Sequence, residues 1–272
     1  MSIKFSNALL NSGNDYQLTP YITLHHPIVK EVMDIDKSPC PDNTYMAYIN
    51  LLLADPYFNM VMLDDMGKNY LETSPFEVFC IQWDNYVEEY KKNKPLYDSY
   101  GISPVDNIKK ALNLFVCGEH DFTKGHYENG DVAFYDVNDP RLQISKEIFE
   151  CLYEWVKSIN KIDYSNKINP ADENARRILI EDMRDEIKKA KRRDKKKKDT
   201  NTDYFGNLMS AAMFCRNGGI TPFNINDCKL YWLTESMHIN SRRDNANHIL
   251  DGVYHGTISS KDIKKDELEW AR

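Results

Sequence analysis

The chain has 272 residues, 42% of them hydrophobic and 12% aromatic, so it can bury a substantial core and lies outside the disordered compositional range. Its formal charge is −7, yet Lys188 to Lys198 carries nine basic residues and one acid, which leaves 26 basic against 41 acidic residues elsewhere. That balance excludes a generally nucleic-acid-binding surface and confines any such role to one run.

Taken in order, residues 1–20 are polar and turn-rich and read as an N-terminal arm. Pro27 opens a short helix with Ile28, Val29, Val32 and Met33 inward, and Ser38-Pro39-Cys40-Pro41 breaks it. A helix is expected from Asp42 to Ala54, with Tyr45, Tyr48 or Ile49, Leu52 and Leu53 on one face. Leu51 to Phe79 is the densest apolar stretch, and its punctuation is local. Asp55 precedes Pro56 as an N-cap precedes a first-turn proline. Gly67 follows Met60, Leu63 and Met66, apolar at helical spacing, where a left-handed residue ends a helix. Ser74-Pro75 with Glu77 makes a capping box for a helix running to about Lys92 through Phe79, Trp83 and Tyr90. Ser103-Pro104, with Asp106 three residues after the cap, starts another.

Leu112 to Val116 and Val132 to Val137 are β-prone runs around Gly118, Gly125 and Asn129-Gly130, and predict an antiparallel hairpin near 112–138. Ser145 caps a helix to Ile159 with Ile148, Leu152, Val156 and Ile159 on one face. Asn169-Pro170 begins the longest helix, whose apolar Ile178, Ile180, Met183 and Ile187 thin out into the basic run; Lys195 to Asn201 reads as a break. Tyr204 to Arg216 is amphipathic and stops at Gly218-Gly219. Asn226 then caps a helix through Leu230, Tyr231 and Leu233, a second helical piece spans His248 to Val253, and Ser259 caps a short terminal helix. The fold expected is mainly α, a multi-helix bundle of short capped helices with a small antiparallel β-hairpin in the middle. Its divisions are an arm (1–20), a helical domain (21–198) and a C-terminal helical segment (199–272) packed on that domain.

The six cysteines are scattered without a C-x-x-C, no secretory leader pattern opens the chain, and no apolar run approaches the roughly 18 residues of a membrane span. Reduced thiols in a cytoplasmic protein are expected. Cys117, His120 and His126, with Glu119 and Asp121 nearby, offer one C-x-x-H pair and no matching second pair, so no metal site is assigned. His25-His26 beside Pro27 read as surface residues. No Gly-rich phosphate loop, G-x-S-x-G elbow or H-E-x-x-H is present, and no enzyme, catalytic residue or cofactor is expected. Lys188, Lys189, Lys191, Arg192, Arg193, Lys195, Lys196, Lys197 and Lys198 form a basic patch without interleaved aromatics for base stacking, so nucleic acid is not the expected partner. Asp64 and Asp65 point about 100° apart on a helix and stand at a C-terminus whose dipole disfavours acids, which makes them a candidate contact surface beside the simpler reading of a solvated face.

Three stretches carry a resemblance: ADPYFNMVMLDDMGKNYLETSPFEVF, DENARRILIEDMRDEIKKAKRRDKKKK and ILDGVYHGTISSKDIKKDELEW. In this order they resemble the tail assembly chaperone-like proteins encoded in tail-gene clusters of phages and prophages of Gram-positive bacteria. The resemblance implies a non-enzymatic virion-morphogenesis factor in the cytoplasm of the infected host. Such a factor binds the tape-measure protein or tail-tube subunits, with self-association possible. Met60, Met62, Asp64, Asp65, Met66, Phe76, Phe79, Met209 and Met213 are the candidate partner-binding residues, because polarizable methionines and aromatics suit an adaptable groove. The rival readings are a structural virion component (neck, tail or baseplate protein) and a nucleic-acid-binding regulator acting through the 188–198 run.

Overall fold

A computed structural model describes residues 4–36, 44–100, 103–127, 130–164, 167–196, 204–214, 219–259, 261 and 263–269. The order of elements is α1 (Asn7–Ser12), β1 (Tyr16–Gln17), β2 (Thr23–Leu24), α2 (Val29–Asp36), α3 (Tyr45–Leu52), α4 (Met60–Asp65), α5 (Pro75–Lys92), α6 (Lys94–Tyr100) and α7 (Pro104–Phe115). Then come β3 (Phe122–His126), β4 (Val132–Asp136), β5 (Gln143–Ile144), α8 (Lys146–Ile159), α9 (Glu173–Lys196), α10 (Tyr204–Phe214), α11 (Leu230–Tyr254) and α12 (Lys265–Leu268). The fold is mainly α with small antiparallel sheets, as composition and capping predict.

The local signals act as expected where they lie within one helical turn. Ser74 and Glu77 form a full capping box at α5, with the Ser74 N–H donating to Glu77 Oε2 at 2.6 Å. Gly67 adopts φ +68° after α4. The Gly67 N–H donates to the Asp64 carbonyl at 2.9 Å and the Lys68 N–H to Leu63 at 2.8 Å, a Schellman closure. Ser145 caps α8 by accepting from the Ile148 N–H, and Thr44 caps α3 through Ala47.

Other expectations are corrected. Leu112 to Phe115 is helical, not strand: Ile108, Ala111, Leu112 and Phe115 recur at helical spacing on one buried face, and that burial overrides β propensity. The hairpin therefore begins at Phe122, runs in register from Phe122↔Asp136 to His126↔Val132, and gains β5 as a third strand. The supposed arm is part of the fold, with Leu10 buried and Tyr16–Gln17 paired with Thr23–Leu24. Asp55 caps the Tyr57 N–H through Oδ1 at 2.9 Å, but the segment it opens is a turn and the helix begins only at Met60, while Oδ2 takes Tyr153 and Lys167. Asn226 lies in a 3-10 turn (Ile225–Asp227), and the two helical pieces expected after it are the single helix α11. The Ser38-Pro39-Cys40-Pro41 stop, the Asp42 start, most of the Lys195 to Asn201 break, and Gly218 lie outside the described residues.

One hydrophobic cluster runs through most of these elements. Its centre is aromatic. The Phe79 ring lies 4.6 Å from Phe149 and 5.1 Å from Phe134, centroid to centroid, and Trp83 packs 4.9 Å from Phe134, joining α5, β4 and α8. The C-terminal part closes onto the N-terminal part through Leu230, Tyr231 and Leu233, all fully buried. The backbone joins the same two ends: the Val29 N–H donates to Cys228 O, and the Leu230 N–H to Pro27 O.

Candidate functional site

Two places bring chemistry-bearing residues together. The first is the contact of α4 with α9. Asp64 and Asp65 end α4, and one guanidinium satisfies both. Arg184 Nη2 donates to Asp64 Oδ2 at 3.1 Å and Nη1 to Asp65 Oδ1 at 2.8 Å. The planar fork offers two parallel donors, so two carboxylates that diverge on their own helix can converge on one partner. The positive group also offsets the unfavourable placement of acids at a helix C-terminus. The pair singled out as a partner contact is thus held first by the chain itself.

The other candidate partner residues divide by burial. Met60, Phe76 and Phe79 are core residues, so a partner would reach them only by opening the fold. Met62, Met209 and Met213 are partly buried against that core. Met66 is exposed. In the basic patch, Lys188, Lys189 and Arg192 are exposed, and Lys188 pairs with Asp185 at 3.2 Å. Lys197 and Lys198 lie outside the described residues, as do the side chains of Lys191, Arg193, Lys195 and Lys196.

The second place was not legible in the sequence. Register sets Asp15 opposite His25, one step beyond the Tyr16↔Leu24 pair. On the other side Leu24 bridges Val116, with the His25 N–H donating to Phe115 O at 2.8 Å and the Cys117 N–H to Thr23 O at 2.9 Å. Leu24 and Val116 face the core, and strand alternation turns His25 and Cys117 away from it. His25 Nδ1 lies 3.0 Å from Asp15 Oδ1, and Nε2 lies 3.1 Å from Glu31 Oε2. The Cys117 thiol donates to Asp15 Oδ2 at 3.4 Å and its sulfur lies 3.9 Å from His25 Nδ1. Asp15 also accepts the His26 N–H at 2.7 Å, and Glu31 accepts the Ile28 N–H at 2.7 Å. His25, Glu31 and Cys117 line an open cleft of about 1030 Å³ together with Asp34, Glu119, His120 and Asp121.

The electrostatics follow from these contacts. Burial works against the charged forms of Asp15 and Glu31. For Asp15 the His26 N–H and the His25 ring outweigh it, and for Glu31 His25 and the Ile28 N–H do so, holding both carboxyls below their ordinary values. Burial likewise disfavours the His25 cation, but Glu31 and Asp15 outweigh it and raise its pKa. Burial and the neighbouring Asp15 push the Cys117 thiol up to about 11. A protonated thiol that donates to a carboxylate is not an activated nucleophile, so the Cys–His–Asp grouping does not read as a hydrolytic triad.

His26, expected at the surface, is fully buried: its Nε2 lies 3.1 Å from Leu10 O and its ring packs edge-on against Trp155. His120 is also claimed internally, lying 3.0 Å from Asp136 Oδ2 and 2.8 Å from Cys117 O. His126 lies at the far end of β3, away from this grouping. The donors around Cys117 therefore come from the N-terminal hairpin rather than from the neighbouring C-x-x-H pair. No local spacing signals that convergence.

No family model, curated protein or solved structure matches the chain.

Proposed function

We propose that this chain is a non-enzymatic assembly chaperone of phage tails, acting in the cytoplasm of the infected host and binding the tape-measure protein or tail-tube subunits. One observation carries the reading. Two of the three stretches that resemble such chaperones pack on each other as α4 and α9, clamped by Arg184 on Asp64 and Asp65. Those two stretches leave Phe58, Met66, Leu71 and Ile178 between 48% and 60% exposed. Large apolar side chains exposed on α9 and on the turns flanking α4 suit capture of an apolar client, and Met66 adds an adaptable contact. No described helix is long and apolar enough to cross a membrane.

The test is co-expression with each neighbouring tail gene, scored by which product becomes soluble and co-purifies. Replacing Met66 and Leu71 by Ser should abolish that rescue while thermal stability stays nearly unchanged. Abundant peptides of this chain in purified virions would instead favour a structural tail component. Salt-sensitive retention on DNA or RNA, lost when Lys188, Lys189 and Arg192 become Gln, would favour the regulator.

A further inference from the structure

We propose that Asp15, His25 and Cys117 form a binding site for a divalent transition-metal ion of the zinc class, with Glu31 as the residue that positions His25. The inference is independent of the assembly role.

The donor set comes first. One carboxylate oxygen, one imidazole nitrogen and one sulfur lie within 4.8 Å of one another. Asp15 Oδ1 lies 3.0 Å from His25 Nδ1, the other oxygen, Oδ2, lies 3.4 Å from Cys117 Sγ, and the sulfur lies 3.9 Å from Nδ1. Zinc–nitrogen and zinc–oxygen bonds of about 2.0–2.2 Å with a zinc–sulfur bond of about 2.3 Å place tetrahedral ligands roughly 3.4–3.6 Å apart. The sulfur–nitrogen separation lies within a few tenths of an ångström of that figure, and a turn of the Asp15 carboxylate would present one oxygen to both. Mixed Cys, His and carboxylate donors also match the ligand preferences of zinc rather than those of magnesium or calcium.

The surroundings support the same assignment. Glu31 takes the Nε2 side of His25. That fixes one ring proton on Nε2, so the proton that Nδ1 shares with Asp15 is the one a metal would displace, the carboxylate–histidine arrangement that orients a ligating imidazole. Glu31 is itself tied to the Ile28 N–H, and the Trp155 Nε1–H holds the His25 carbonyl at 2.7 Å. The cleft beside His25 and Cys117 leaves room for a water as fourth ligand. The opposing charge of Lys229 is tethered to the His26 carbonyl at 2.8 Å. Metal entry replaces the Cys117 S–H bond by a metal–sulfur bond and the His25 Nδ1–H bond by a metal–nitrogen bond, both protons leaving to solvent, and requires no redox partner. The ion would join the N-terminal hairpin to the end of α7.

The experiment uses the full chain, stripped with a chelator and titrated with Co²⁺, then with Zn²⁺ as competitor. The expected result is one Co²⁺ per chain, a thiolate-to-cobalt charge-transfer band, d–d intensity typical of a four-coordinate site, and displacement by Zn²⁺. Cys117→Ser should abolish the charge-transfer band. Glu31→Gln should keep the band and weaken Co²⁺ binding by about 10–100-fold. Cys80→Ser and His126→Ala should change neither. The proposal is overturned if the native chain shows no charge-transfer band, or if the band survives in a folded Cys117→Ser protein. It is equally overturned if Cys80→Ser removes the band. Should Cys117→Ser fail to fold, Glu31→Gln decides, and unchanged affinity there rejects the site.

Discussion

Arg184 donates from Nη1 to Asp65 Oδ1 at 2.8 Å, across the gap between the long helix α9 and the short helix α4. Its second terminal nitrogen takes Asp64. Because all three side chains are partly exposed, the clamp sets where α9 lies more than how stable the whole chain is. Arg184→Ala should leave the global unfolding midpoint nearly unchanged but speed amide hydrogen exchange along α9. Arg184→Lys should not restore protection, since an ammonium cannot present the two-pronged fork. Equal protection in both variants and the native chain would remove the clamp from the account.

Gly67 gives a second, purely conformational prediction. It sits at φ +68°, and an added Cβ would meet nothing within 4 Å. Gly67→Ala should therefore cost about 1–2 kcal/mol from the left-handed backbone alone. Gly67→Asn should recover much of that loss, because Asn tolerates this region. Chemical denaturation of the three proteins measures both effects, and an Asn variant as unstable as the Ala variant would implicate side-chain crowding instead.

Asp55 is buried and accepts hydrogen bonds from the Tyr153 hydroxyl at 2.8 Å and from Lys167 Nζ. Lys167→Met should destabilise by up to about 3 kcal/mol, because it leaves a buried carboxylate without its cation. Adding Asp55→Asn to Lys167→Met should regain part of that loss, a non-additivity readable in a double-mutant cycle. Simple additivity would show that the pair contributes independently.

Asp136 supplies the pH dependence. Burial pulls its pKa up, but the Asn138 N–H, His120 and the Asp121 N–H outweigh burial and hold it below the ordinary 3.8. A carboxyl depressed in the folded state contributes stability above its unfolded value and loses it as pH falls through the folded one. Asp136→Asn should cost about 1.5–3 kcal/mol at neutral pH. The gap to the native chain should stay constant down to about pH 4 and narrow below it. Unfolding titrations of both proteins across that range provide the check, and a gap that widens in acid would contradict the assignment.

The sequence by itself determined the helical character of the chain and several helix starts and stops. The Ser74–Glu77 box, the Gly67 stop and the Ser145 cap each act between residues no more than five apart, so their chemistry is complete within a turn. Tertiary structure alone decided whether Leu112 to Phe115 would be strand or helix, because the choice depended on which face α3 and α5 would cover. It also decided that the second oxygen of Asp55, whose Oδ1 caps the Tyr57 N–H, would take Lys167, 112 residues away. The grouping of Asp15, His25 and Cys117 belongs to the same class. His25 is ten residues from Asp15 and 92 from Cys117, and the three meet only because Leu24 pairs with Tyr16 on one side and with Val116 on the other. Backbone pairing between distant segments carries no side-chain spacing that a linear pattern could reveal.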